Sequence, residues 1–179
     1  MTAYILSAVT GGLGVPLDGS GSTPKQRKQR EVRLVADFVA EFYPDDRAIL
    51  NLRVGGINPV ITDQDLTEGE LALIGSHRRF ADAVVIRERD LILIEGMILP
   101  SLGKVSQILG YRALLPLTPE LGAFASLPIT AIIVGPIEDQ FLARLARQSD
   151  ILVRVYRPPW IEAFLNGLST RHRRVKLDR

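Results

Sequence analysis

Two carboxylates stand where an acid is costly. Asp82 lies in the apolar run FADAVVIR and Glu95 in LILIEGMIL. An ionised group in such a segment needs a compensating partner, and a divalent cation is one that two carboxylates can share. Further on, Lys104, Gln107 and Tyr111 share a narrow arc at helical spacing and would present an ammonium, an amide and a phenol together. Arg78 and Arg79 precede Asp82 and could grip backbone phosphates; the plainer reading is exposed residues at a strand start. His77 and His172 are the only histidines, neither sits at a ligand or triad spacing, and the chain has no Cys, so a zinc site is not expected.

The elements that must position these groups can be read from hydrophobic period. Residues 79 to 99 read as a hairpin turning near Glu88-Arg89-Asp90. Alternation sets Phe80, Asp82, Val84 and Ile86 on one face of the first arm, and Leu91, Leu93, Glu95 and Met97 on one face of the second. The loop length decides whether the two faces coincide. A two-residue turn or a four-residue loop (Arg87 to Asp90) puts both carboxylates on one side; a three-residue loop opposes them, barring a bulge at Gly96.

A helix is expected before the hairpin, capped near Thr23, entered at Pro24 and stopped at Pro44. Its apolar arc contains Val32, Val35, Phe38, Val39 and Phe42, and Glu31 falls inside that arc. Glu31 is either a first-turn acid favoured by the helix dipole or a carboxylate aimed into a site beneath the helix. A strand is expected over 48–54, a short helix near 68–73, a helix over 103–115 and a buried strand over 129–134. A helix over 137–148, a strand over 151–156 and a terminal helix carrying Trp160, packed on the last strand, complete the reading. The order α-β-β-β-α-β, then α-β, implies an α/β fold whose central mixed sheet is flanked by helices.

Composition narrows the field. The chain has 179 residues, 46% of them hydrophobic, and a net charge of +2. That suits one compact domain and excludes a disordered chain, a disulfide scaffold and a membrane span. Of 22 basic residues only Lys25, Lys28, Lys104 and Lys176 are lysines. The basic residues cluster at KQRKQREVR, which includes Lys28, and at RHRRVK, which includes Arg173. Both clusters are candidate nucleic-acid contacts, or else solvated ends. Residues 1–24, rich in Gly, Ser and Pro, are read as an extended arm that engages a protein partner or a second copy of the chain. Residues 25–157 form the main domain, and 158–179 a terminal helix with a basic tail. No secretory signal is recognised at MTAYILSAVTGG, so the expected location is the cytoplasm or an assembly such as a virion.

With these residues in order, the chain resembles the PD-(D/E)XK nuclease superfamily over roughly residues 25 to 135. The resemblance rests on the element order, Phe80-Ala81-Asp82, Glu95-Gly96-Met97 and Gln107-x-x-x-Tyr111. The last motif is similar to the QxxxY of the RecB-like branch. The resemblance implies that Asp82 and Glu95 bind Mg²⁺, that Glu31 joins them, and that Gln107 and Tyr111 support the site and contact DNA. It also demands a lysine two residues after Glu95, where this chain has Met97; a thioether cannot orient a hydroxide or stabilise phosphorane charge. The expectation is therefore a degraded site, in a non-catalytic DNA-contacting or structural subunit of a phage or mobile-element assembly. The alternative is an active Mg²⁺-dependent DNA nuclease in which Lys104 has taken over the lysine's role. A third reading is an unrelated interaction module with Asp82 and Glu95 in salt bridges.

Overall fold

The structure, a computed structural model, describes residues 24–56 and 79–166. Helix α1 (Pro24–Phe42) begins at the proline, whose fixed φ suits a first turn, and ends before Pro44. Strands β1 (Arg47–Val54), β2 (Arg79–Ile86) and β3 (Leu91–Gly96) follow. Helix α2 (Gly103–Leu114) runs into short 3₁₀ turns, Leu115–Leu117 and Pro119–Ser126, that the sequence reading did not anticipate. Strand β4 (Ile129–Gly135), helix α3 (Gln140–Arg147) and strand β5 (Ile151–Val155) come next, and a helical segment spans 159–166. Asp139 caps α3 by accepting the Leu142 amide at 2.8 Å.

The strands form one mixed sheet in the order β1-β2-β3-β4-β5. The first three are antiparallel, and β3–β4 and β4–β5 are parallel. This is the α/β architecture expected. Helices cover both faces, so the inner strands bury residues of both parities and β3 is buried throughout. Val84, Ile86, Leu91, Leu93, Ala131 and Ile133 pack toward Val105 and Ile108 of α2. Ala83, Val85, Ile92, Ile94, Ile132 and Val134 pack toward Leu34, Val35 and Phe38 of α1. Ile161 and Phe164 of the last helical segment enter the α1-side cluster.

Ile86 pairs with Leu91 and Ala83 with Ile94, so the hairpin has the four-residue loop and its register sets Asp82 opposite Glu95. Strict alternation fails at one place. Ala81 packs with the α2-side cluster, whereas Ala83 packs with the α1-side one. In β1 the same switch separates Leu50 from Leu52, across Asn51, whose φ of 52° is left-handed. The β1–β2 register places Asn51 opposite Asp82. Asn tolerates that backbone better than most residues. The sheet therefore kinks at Asp82, which turns the carboxylate and its own amide away from a regular ladder.

Trp160 packs against the α1-side cluster, and its indole N–H donates to Asp37 of α1 at 2.6 Å with Arg33 over its ring. Arg112 of α2 donates to the carbonyl of Ser149 at 3.2 Å. The N-terminal arm to residue 23, the short helix near 68–73, His77, Arg78, His172, Arg173 and the basic tail lie outside the described residues. Among the described residues no helix is long and apolar enough to cross a membrane.

Candidate active site

The site is built where the β2–β3 ladder stops. Beyond the Ala83–Ile94 pair, side-chain carboxylates take over the strand-to-strand bonding. The Asp82 amide donates to Glu95 Oε1 at 3.0 Å, and the Gly96 amide donates to Asp82 Oδ2 at 2.9 Å. Each acid is fixed by the backbone of the opposite strand. Both side chains are fully buried. The remaining oxygens, Asp82 Oδ1 and Glu95 Oε2, face the side chains of the two flanking helices.

From α2, Lys104 Nζ stands 3.2 Å from Glu95 Oε2 and 3.9 Å from Asp82 Oδ2. Gln107 Nε2 donates to Glu95 Oε2 and to the Tyr111 hydroxyl, each at 3.0 Å. The helical spacing of Lys104, Gln107 and Tyr111 thus delivers three groups in sequence onto and beside one carboxylate. Arg79, exposed at the start of β2, shares an open groove with Ser106, Gln107, Gly110, Tyr111 and Leu114.

From α1, Lys28 forms an ion pair with Asp82 Oδ1. The sequence reading put Lys28 in a basic cluster, a candidate nucleic-acid contact or a solvated end; the structure sets its ammonium against Asp82. Burial pulls the Lys28 ammonium down, but the charge and hydrogen bond of Asp82, with Glu95 and Glu31 behind, more than offset this and raise its pKa. Glu31 also points to this region rather than to solvent. Its carboxylate accepts the Ile98 amide, and burial, partly countered by Lys104, raises its pKa, with Asp82 adding to the rise. Glu95 is pushed up to about 7, first by burial and then by the adjacent Asp82, with Lys104 working against both.

Gly96 makes this convergence sterically feasible. A Cβ there would lie 2.6 Å from Val35 Cγ2 and 3.0 Å from the Glu31 carbonyl, so only glycine lets α1 rest on the end of β3. Met97 is not at the acids. It is fully buried, and its thioether lies where a Cβ on Gly135 would meet it at 3.0 Å. Sequence reasoning passed over Asn51 and named Gly96 only as a possible bulge and as part of a tripeptide motif. The Gly inside Glu95-Gly96-Met97 was a visible signal; the left-handed Asn51 in a strand was not.

The donor set is hard oxygen from two buried carboxylates, with two ammoniums beside them. Among the described residues no group of three or more His, Asp or Glu side chains converges as an all-protein metal cage. The chemistry of that donor set, two hard carboxylates side by side, suits Mg²⁺ or Mn²⁺, so the residues fit the ion that the family resemblance implies.

No family model and no curated protein matches the chain. Among solved structures, the chain is similar to a repair endonuclease from Pyrococcus abyssi at 16% identity, with a TM-score of 0.45. The match covers 71% of this chain and 47% of the archaeal one, so the chain spans about half of that protein's length.

Proposed function

We propose that this chain is a Mg²⁺-dependent nuclease acting on DNA, with Asp82 and Glu95 as the metal ligands and Lys104 as the catalytic ammonium. One observation carries the reading: Lys104 Nζ lies 3.2 Å from Glu95 and 3.9 Å from Asp82, while Met97 is turned into the core. The order of elements and the motifs that resemble the PD-(D/E)XK superfamily support it.

Asp82 and Glu95 would hold the ion, and the chemistry it would supply there is polarisation of a water and neutralisation of charge on the scissile phosphate. Lys104 puts a positive charge beside the reacting centre, suited to stabilising the phosphorane as negative charge develops. Gln107 holds Glu95 Oε2 and the Tyr111 hydroxyl in fixed positions. Glu31 adds negative charge beneath α1, and Arg79 lies in the groove where a DNA strand would approach.

A second reading is favoured by the Lys28–Asp82 pair. An acid already neutralised by lysine suits a chain that contacts DNA without cutting it, as a subunit of a larger assembly. Incubating the protein with linear double-stranded and single-stranded DNA in Mg²⁺ or Mn²⁺, beside Glu95→Ala, separates the two. Metal-dependent cleavage that the variant lacks supports the nuclease. DNA binding without cleavage in either metal supports the assembly subunit.

A further inference from the structure

We infer that Lys28 is a tethered competitor for the metal site, a cation on α1 that a divalent ion must displace from Asp82 before it can bind. The inference rests on the reading of Asp82 and Glu95 as metal ligands, and concerns what sets their affinity.

Three observations lead to it. Asp82 Oδ2 and Glu95 Oε1 are engaged by backbone amides, so the outward lone pairs are mainly those of Asp82 Oδ1 and Glu95 Oε2. Lys28 sits on the first of these and Lys104 on the second. The two lysines are not equivalent in access: the Lys104 side chain is 12% exposed, and that of Lys28 is 47% exposed. Lys104 is seated within the site, whereas Lys28 reaches in from the solvent side and can withdraw along its own flexible stem.

Helix position points the same way. Lys28 lies near the start of α1, and the first turn of α1 contains no acidic residue. Lys28 is the fifth residue of the helix, and its ion-pair partner is Asp82 of β2 rather than an acid in that first turn. Charge balance identifies what can replace it. Asp82, Glu95 and Glu31 oppose Lys28 and Lys104, leaving the formal charge one short of neutral when all three acids are ionised. A divalent ion in place of Lys28 makes the group neutral; a divalent ion added beside it leaves an excess positive charge in a buried site. Exchange is therefore favoured over addition.

The test measures binding, not turnover. Mn²⁺ affinity is determined by titration calorimetry on the full chain for the wild type, Lys28→Met and Asp82→Asn. The expected result is roughly tenfold tighter binding for Lys28→Met, and loss of binding in Asp82→Asn. Lysine acylation footprinting of the wild type, read by mass spectrometry, needs no altered fold. Lys28 should become more reactive as Mg²⁺ is added, while Lys25 and Lys176 stay constant. Equal or weaker Mn²⁺ binding by Lys28→Met, with a footprint that Mg²⁺ leaves unchanged, would overturn the displacement while sparing the metal-site reading. Absence of Mn²⁺ binding in both wild type and Lys28→Met would overturn both.

Discussion

At the residue scale, the proposed activity turns on Met97 and Lys104. A sequence motif registers a lysine by its spacing from the acid, but the site registers it by where its ammonium arrives. Met97 follows β3 into the core beside Gly135, and Lys104 reaches the same acids from the start of α2. Restoring the motif should therefore harm the protein. Met97→Lys would bury an ammonium among apolar neighbours and should cost about 3 kcal/mol or more, seen as a lowered urea midpoint with no gain in cleavage. Glu95 makes a separate prediction about pH. Its folded pKa of about 7 lies above that of the unfolded chain, so the folded state binds the extra proton. This contribution to stability is complete below the ordinary glutamate range and is lost as pH rises toward about 7. In metal-free buffer, the urea midpoint of the wild type should fall more steeply across that window than that of Glu95→Gln. Parallel slopes would show that Glu95 titrates normally.

At the element scale, the hairpin and the two helix starts make the site. The four-residue loop was one of two loop lengths compatible with paired carboxylates, and the register was open until the strands were paired. What alternation could not show is the kink at Asp82. That kink depends on a left-handed Asn51 in the neighbouring strand and on the close seating of α1 over Gly96, both tertiary facts. Asn51→Val should cost about 1–2 kcal/mol, because a β-branched residue resists positive φ, while Asn51→Gly should be tolerated. Thermal unfolding of the two variants checks this; equal stability would mean that the left-handed backbone carries no strain. Gly96→Ala should cost about 1–3 kcal/mol and push α1, with Glu31 and Lys28, away from the acids.

At the scale of the whole molecule, a mixed sheet carries α1 on one face and α2 on the other, and the site forms at the sheet's end where both helices begin. Hydrophobic period and the Pro and Gly breaks were enough to read that architecture. They were enough, too, to nominate Asp82, Glu95, Lys104, Gln107, Tyr111 and Glu31, which the fold gathers at or beside the two acids. Lys28 was read as part of a surface cluster, because a run of basic residues carries no signal of which one turns inward. The central claim is that this assembly cuts nucleic acid through Lys104 in place of the absent motif lysine. Single-turnover DNA cleavage in Mg²⁺ by wild type and Lys104→Met, both shown folded by circular dichroism, tests it most directly. The account predicts metal-dependent cleavage by the wild type and a loss of roughly 10²-fold or more in the variant. Equal rates for the two proteins, or no cleavage by the wild type, would contradict it.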